Sequence, residues 1–114
     1  MLRFEKDNNN ECLQYFAVSI PNALLIKAED GNVVGMVDYE VYKDSVKIFY
    51  ITIIEEYKRQ GYATETMTKI INENRGRCLY GDSLPGALKF WASLGVEFDE
   101  DEDEDYLTPF HLNC

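Results

Sequence analysis

The sequence predicts an α+β fold, with a mixed central sheet that contains one parallel strand–helix–strand crossover. Asp30-Gly31 lies between two apolar segments and is a strong signal for a β-hairpin. The segment 46–54 is rich in β-branched and aromatic residues, as a central strand should be. An amphipathic helix over 62–74 then leads to a short strand over 77–80, and a crossover of this kind is parallel and right-handed.

The N-terminal half supplies the antiparallel part of the predicted sheet. Residues 1–12 carry only a weak pattern, and 13–20 is mostly apolar and fits a strand or a short helix. Pro21-Asn22 ends that segment. Strands are expected over 24–28 and 33–42, so that the chain makes a meander before it reaches the central strand.

The C-terminal half supplies the helices and the last strands. The helix over 62–74 carries its apolar residues at helical spacing, at Ala63, Met67, Ile70 and Ile71. Pro85 stands where helices begin, Gly95 stands where they end, and an apolar stripe with Trp91 lies between them. Strands are expected over 96–98 and 106–112.

Length and composition indicate one domain over 1–114, without a linker or a repeat. The N-terminus is polar and charged, so no signal peptide is expected, and no segment reaches the length of a membrane span. The three cysteines are widely spaced. Neither a metal site nor a disulfide framework is therefore expected, and a reducing cytoplasm is the simplest compartment.

The charge of the chain is strongly acidic and uneven. The net charge is −10, and 99–105 is an unbroken run of acidic residues. Such a chain should repel nucleic acids and anionic membranes and attract cations, including amines. The run itself fits a solvated loop, or a loop that concentrates cationic molecules beside a site.

The stretch 51–64 is the most informative part of the chain. A buried-type strand runs into a turn with Gly61, and the turn opens the amphipathic helix. The first amides of a helix lack internal partners and carry the positive end of the helix dipole. Gly61 and Ala63 let a ligand approach the backbone, and Lys58 and Arg59 add positive charge. The pattern predicts a site for a phosphate or pyrophosphate; the alternative is a generic basic turn.

The hexapeptide 58–63, Lys-Arg-Gln-Gly-Tyr-Ala, resembles the acyl-CoA loop of the GNAT superfamily of N-acetyltransferases. That loop reads Gln or Arg, two residues, Gly, one residue, then Gly or Ala. Lys58 departs from the first position but keeps a positive charge. The resemblance extends from Ile51 to about Phe98. It implies a GNAT-like sheet whose two N-terminal helices are shortened or absent, because too little chain precedes Leu24 to hold both.

The resemblance also implies how acetyl-CoA would be held. In the family, the strand before the loop splays from the next parallel strand, and the pantetheine lies in that gap. Here the backbone of Ile51, Thr52 and Ile53 would take this role, and its amides would polarise the thioester carbonyl. The alternative is a plain core strand, and the two are compatible. The pyrophosphate would lie against the amides of Arg59, Gln60, Gly61, Tyr62, Ala63 and Thr64.

A second signature concerns the departing thiolate. Residues 87–96 resemble the family segment in which an Ala precedes two aromatic residues and Leu-Gly-Phe. The second aromatic is typically a Tyr at the cofactor that protonates the thiolate. Trp91 stands there, and indole cannot supply that proton, so Trp91 is a cofactor contact without this role or a core residue. Tyr80 is the candidate substitute acid, and the alternative is unaided departure, because a thiol has a pKa of about 8.5. Leu84 replaces a common family Asn.

The general base follows from the chemistry of amines. A lysine amine has a pKa of about 10.4 and must lose a proton before it attacks. Asp82, expected just past the strand over 77–80, is the candidate base, and its alternative role is to cap the helix after Pro85. Asp38 and Glu40 are rivals, and ordered water would make a single base unnecessary. His111, the one histidine, is interpreted as a satisfied imidazole.

Taken together, the residues and the resemblance predict an N-acetyltransferase that moves an acetyl group from acetyl-CoA to a primary amine. The acceptor is expected to be a protein lysine or another cationic amine, with no nucleic acid, membrane or metal. Shortened N-terminal helices imply an open acceptor groove, or a groove completed by a second subunit of a homodimer. Two alternatives stay open: a CoA-binding module without turnover, and an acidic protein that occupies a basic partner.

Overall fold

The computed structural model describes residues 1–16, 22–99 and 106–114. Its strands form one mixed sheet in the order β1-β2-β3-β4-β5-β7-β6, and β4 and β5 run parallel. The predicted α+β class with a parallel crossover is therefore confirmed. The elements are β1 (Arg3–Lys6), α1 (Glu11–Phe16), β2 (Leu24–Lys27), β3 (Val33–Val41), β4 (Ser45–Ile53), α2 (Tyr62–Glu73), β5 (Cys78–Ser83), α3 (Leu88–Ser93), β6 (Glu97–Phe98) and β7 (Thr108–Leu112).

The chain divides into two compact units, and the first comprises 1–39 and 50–70. Its strands β1, β2 and β3 form an antiparallel meander, with Phe4 opposite Ile26 and Leu25 opposite Met36. Of these, β2 and β3 were expected and β1 was not. Side chains from this meander and from α2 are almost fully buried, because both faces of β2 and of the start of β3 lie inside the unit. They include Leu25, Ile26, Val34, Met36, Val37, Met67 and Ile70.

The second unit comprises 40–49 and 71–114. Here β5 lies between β4, which is parallel to it, and β7, which is antiparallel to it, and β6 pairs with the far side of β7. One face of these strands is buried and the other is not. The buried face carries Val46, Ile48, Leu79 and Phe110, and α3 adds Leu88 and Trp91 to the same core.

Some element boundaries differ from the predictions. The first strand, β1, has only four residues in a weakly patterned segment, and its strand structure comes from pairing with β2. The segment that fitted a strand or a helix begins as α1, while 17–21 lies outside the described residues. β5 extends three residues past the expected end at Tyr80, because β7 pairs with it as far as Ser83. Of the acidic run, only Asp99 is among the described residues.

The expectation that no disulfide forms is wrong. Cys78 and Cys114 are joined by a disulfide with their Cα atoms 4.6 Å apart. The register of β5 and β7 explains the pairing: Leu79 lies opposite Leu112, Cys78 directly precedes Leu79, and Cys114 lies two residues beyond Leu112. The two cysteines are 36 residues apart in the sequence, and no local pattern indicated that they pair. The argument for a reducing compartment rested on the absence of a disulfide and loses its basis.

Neither the described helices nor any apolar stretch within them is long enough to cross a membrane.

Candidate active site

The predicted phosphate loop leaves β4 through one turn of 3-10 helix and ends where α2 begins at Tyr62. Arg59 and Gly61 both adopt left-handed backbone conformations, with φ of 67° and 84°. Glycine takes such a conformation without strain, which explains its place in the loop. A Cβ built on Gly61 would meet no atom within 4 Å. The backbone at Gly61 is therefore open to a ligand.

The start of α2 presents unpaired helical amides beside this open position. The Glu65 N–H donates to the Gly61 carbonyl at 2.9 Å and forms the first hydrogen bond of the helix. The amides of Tyr62, Ala63 and Thr64 precede it and have no intrahelical acceptor. The helix α2 has 12 residues, and the positive end of its dipole is its N-terminus, which adjoins the loop. The arrangement fits an anion such as a pyrophosphate.

The positive charge near the loop is smaller than the sequence indicated. Lys58 Nζ lies 2.9 Å from the carboxylate of Glu55 in the preceding turn. This hydrogen bond is the main reason that the pKa of Glu55 is lowered, and the charge of Arg59 adds to the effect. Arg59 itself makes no ion pair with another of the described residues. Lys58 is thus engaged by Glu55, whereas Arg59 acts on Glu55 only through its charge and forms no ion pair within residues 1–16, 22–99 and 106–114.

Two tyrosines flank the same turn, and their contact was not predicted from local patterns. The rings of Tyr57 and Tyr62 meet edge to face with centroids 6.1 Å apart. Burial raises the pKa of Tyr57, and the charges of Glu56 and Asp30 add to that shift. The contact fixes the 3-10 turn against the first residue of α2, so it holds the loop between them in place.

A cavity of about 420 Å³ opens beside Tyr62 and is also lined by Ala28, Glu29 and Asp30. These residues come from the hairpin turn between β2 and β3, which sequence alone could not place near the loop. Two carboxylates repel a phosphate. These carboxylates make this part of the surface unsuited to an anion.

The strand expected to hold the pantetheine carries an irregularity just before Ile51. Burial alternates along the start of β4 and then breaks, because Phe49 and Tyr50 are both exposed. The Tyr42 N–H donates to the Ser45 carbonyl, and the Ile54 N–H donates to the Val34 carbonyl. These two bonds imply registers that differ by one residue, which is the signature of a β-bulge.

β3 approaches this part of β4 very closely at Gly35. A Cβ built on Gly35 would lie 2.3 Å from the Thr52 carbonyl oxygen and 3.2 Å from the Ile53 Cα. No side chain fits there, so the glycine permits the contact. The backbone of Thr52 and Ile53 therefore packs directly against the β3 backbone at Gly35.

The pairing of β4 with β5 joins four residue pairs, from Ser45–Cys78 to Ile48–Gly81. β4 continues beyond the last pair for another five residues, which contain the predicted Ile51–Ile53 segment.

Tyr80 and Asp82 lie on one face of β5, because residues two apart in a strand point to the same side. Tyr80 is half-buried and lies opposite His111 of β7, while Asp82 is exposed and lies opposite Pro109. Asp82 was expected just past the strand, but the strand continues through it. The capping alternative is wrong, since Leu84 precedes the Pro85 turn and no side chain caps it.

Trp91 lies on the other side of β5 from Tyr80. It is 4% exposed and stacks on Phe110 with ring centroids 4.2 Å apart. Phe110 lies opposite Gly81 and contacts the position where a Cβ would stand. The core alternative for Trp91 is the one supported by this packing, and a contact with acetyl-CoA stays a prediction.

The remaining titratable candidates have partners of their own. Both ring nitrogens of His111 face carboxylates: Nδ1 contacts Asp99, and Nε2 lies 3.2 Å from Glu97. Glu40 accepts a hydrogen bond from the Tyr42 hydroxyl at 2.5 Å. Asp38 also has a partner. His111 is thus the satisfied imidazole that the sequence indicated. Among the described residues, no cluster of His, Cys, Asp and Glu is suited to a metal ion.

The fold and the loop together define a GNAT-type acyltransferase domain. The chain belongs to the acetyltransferase (GNAT) family, whose model matches residues 3–96. Comparison with curated proteins finds no significant match.

Solved structures support the same fold at low sequence identity. The ribosomal-protein-S18-alanine N-acetyltransferase of Escherichia coli has a TM-score of 0.73 at 13% identity, over 98% of this chain and 92% of that one. Mutant forms of the spermidine/spermine N-acetyltransferase of Vibrio cholerae give 0.74 at 12%, over 98% and 93%. The N-acetylglutamate synthase of Neisseria gonorrhoeae, complexed with coenzyme A and L-arginine, gives 0.73 at 14%, over 97% and 32%.

Proposed function

We propose that this protein is an acetyl-CoA-dependent N-acetyltransferase that acts on a primary amine carried by a cationic acceptor. The observation that carries the proposal is the open backbone at Gly61 immediately before the first turn of α2. Family membership gives this loop a chemical meaning, because acetyl-CoA supplies a pyrophosphate to bind and a thioester to react.

The loop and β4 would bind different parts of acetyl-CoA. The amides of Gly61–Thr64 would accept the pyrophosphate, with Arg59 adding a charge. The backbone of Ile51, Thr52 and Ile53 would bind the pantetheine as an added strand, and one of its amides would stabilise negative charge on the thioester oxygen. Gly35 supports that role, because its close approach to Thr52 fixes the segment from behind.

Proton transfer would fall to the exposed face of β5. Asp82 is open to solvent and can take the proton of the incoming ammonium group through water. Tyr80, two residues earlier on the same face, is the candidate donor to the departing sulfur. Trp91 is buried against Phe110 and donates no proton in this scheme.

Two observations support a cationic amine as the acceptor. The chain carries a net charge of −10, so its field attracts positively charged molecules. The names of the similar enzymes include a protein alanine and a polyamine as their acceptors. The acidic run begins at Asp99, and its remaining residues lie outside the described part of the chain.

A thermal scan with acetyl-CoA tests the donor site. A ligand present at 100 times its Kd stabilises the native state by about 2.7 kcal/mol, which raises the melting temperature measurably. Gly61→Asp should abolish this shift, because a carboxylate would project into the open space and repel the phosphates. Gly76→Asp is the matched control, since Gly76 has a φ of 87°, equally open space and a place at the other end of α2. Equal shifts in both variants would contradict the site.

Turnover separates the proposal from its two alternatives. Release of free thiol on mixing acetyl-CoA with polyamines, basic peptides and lysine-rich proteins indicates an enzyme. A thermal shift with acetyl-CoA, but no release of free CoA thiol in the presence of any acceptor, indicates a CoA-binding module. Capture of basic proteins without a shift indicates the acidic interaction protein.

A further inference from the structure

We propose that the uncovered sheet face of the second unit is a docking surface for an extended lysine- and arginine-rich segment of the acceptor protein. The proposal rests on the proposed function and specifies its acceptor. We call this surface the acidic face. It is defined by the outward residues of four strands and the adjoining hairpin: Glu40, Tyr42, Lys47, Phe49, Tyr80, Asp82, Glu97, Asp99 and His111.

Strand registers place the central part of the acidic face in one row. Lys47 lies beside Tyr80, Tyr80 opposite His111, and His111 opposite Glu97. Residues paired in this way point to the same side of a sheet. Each of the four is half-buried or exposed. The row crosses four strands, or about 14 Å at the usual strand spacing, which matches four to five residues of an extended peptide.

The opposite face of the same strands is covered and provides the comparison for side-chain exposure. Ile48, Leu79 and Phe110 are at most 5% exposed, and Trp91 packs on Phe110. On the acidic face, Phe49 is instead 48% exposed and Tyr42 is 44% exposed. The difference identifies a sheet face that has no comparable cover among residues 1–16, 22–99 and 106–114.

The chemistry of the acidic face suits guanidinium and ammonium groups. Four of its members are carboxylates, at Glu40, Asp82, Glu97 and Asp99, and three are aromatic rings, at Tyr42, Phe49 and Tyr80. Carboxylates and aromatic faces are the two kinds of group that bind these cations.

Side chains within the acidic face already make contacts of these two kinds. Lys47 Nζ lies 4.9 Å from the centroid of the Phe49 ring. The His111 ring contacts the carboxylates of both Asp99 and Glu97. The four carboxylates outnumber Lys47 and His111 together, so the net charge that the acidic face presents to a partner is negative.

Charge also decides against a second copy of the chain as the occupant. Two acidic faces brought together would oppose four carboxylates to four, on molecules that each carry −10. Like charges across an interface disfavour association. A basic segment meets complementary charge instead, and its backbone needs no fixed secondary structure to follow the sheet.

Fluorescence anisotropy without CoA tests the docking surface separately from the donor site. The probe is a labelled dodecapeptide of alternating Lys and Ser, and a Glu-Ser dodecapeptide is the negative control. The double variant Glu40→Gln with Glu97→Gln should weaken binding about 3- to 20-fold at low salt. The double variant Glu29→Gln with Glu65→Gln removes the same charge from exposed positions outside the acidic face and should change binding less than twofold.

Chemical shifts of labelled protein locate the peptide in the same experiment. The largest changes are expected at the amides of Lys47, Tyr80, Glu97 and His111. No binding, equal loss in both double variants, or shifts centred elsewhere would overturn the proposal. Shifts of these amides with protein concentration alone would overturn it in favour of self-association. The acidic-face variant is also scanned with acetyl-CoA. If its thermal shift equals that of the wild type, a negative result in the peptide experiment overturns the docking surface and leaves the proposed donor site unaffected.

Discussion

Trp91 stacks on Phe110 with ring centroids 4.2 Å apart and an interplanar angle of 24°. Both rings are at most 4% exposed, and Phe90 meets Trp91 edge to face from the same helix. The indole therefore fills the core where many relatives are expected to carry a catalytic tyrosine. In the proposed reaction, Trp91 would therefore not be the group that protonates the departing thiolate.

Trp91→Tyr tests that conclusion. A tyrosine hydroxyl at this position would be buried beside Phe110, and an unsatisfied buried hydroxyl costs about 1–3 kcal/mol. We expect a lower free energy of unfolding in urea and no gain in kcat. Phe90→Tyr is the control, because Phe90 is half-buried and a hydroxyl there can reach water. A rise in kcat for Trp91→Tyr alone would show that the helix position still serves as an acid site.

Gly35→Ala should be among the more destabilising single-methyl changes in this chain. The added Cβ would lie 2.3 Å from the Thr52 oxygen, so β3 and β4 would have to move apart. Overpacking of this kind typically costs about 1–3 kcal/mol. Gly86→Ala adds the same methyl where no atom lies within 4 Å and should be close to neutral. Denaturation in urea compares the two, and equal stabilities would contradict the close approach.

Acetyl-CoA binding provides a second measurement on the Gly35 variant. If the segment at Thr52 holds the donor, its displacement should weaken binding in Gly35→Ala even where the protein remains folded. Titration calorimetry below the melting temperature separates this loss from unfolding. Unchanged affinity in a destabilised Gly35→Ala protein would show that Thr52 supports the core and not the ligand.

The disulfide should make stability sensitive to reductant. Cys78 and Cys114 close a loop that contains α3, β6 and β7, and a bond of this span typically contributes about 2–4 kcal/mol. Dithiothreitol should lower the midpoint of unfolding in the wild type. The variant Cys78→Ser with Cys114→Ser should start at that lower midpoint and not respond. An identical response of both proteins to reductant would show that the bond is not formed in solution.

Local signals in the sequence were sufficient for the crossover and for its loop. β-branched and aromatic residues predicted β4, helical spacing predicted α2, and Gly61 marked the left-handed turn between them. Each of these follows from the conformational preferences of a few adjacent residues, which is why a single sequence contains them.

Contacts that local sequence patterns do not indicate account for what the sequence did not predict. β1 has no strand pattern of its own and depends on Ile26 opposite Phe4. The partner of Cys78 follows from the return of β7 beside β5, across 36 residues. Lys58 counted as a free charge in the sequence, but the 3-10 turn brings Glu55 to within 2.9 Å of it. In each case, the decisive neighbour is set by tertiary structure or by a turn that composition does not reveal.

Arg59 offers a test of whether the loop is built for binding or for stability. A residue other than glycine with a φ of 67° costs about 1 kcal/mol, and strain of this kind persists where surrounding structure enforces it. Arg59→Gly should therefore leave the free protein as stable as the wild type or slightly more stable. It should weaken acetyl-CoA binding, because Arg59 is the loop cation without an ion pair among the described residues, and the loss should shrink as salt rises. Lys58→Gly is the comparison, since Lys58 has an ordinary φ of −65° and is engaged by Glu55. Calorimetry at two salt concentrations measures both affinities, and equal losses in the two variants would show that Arg59 has no particular role in the loop.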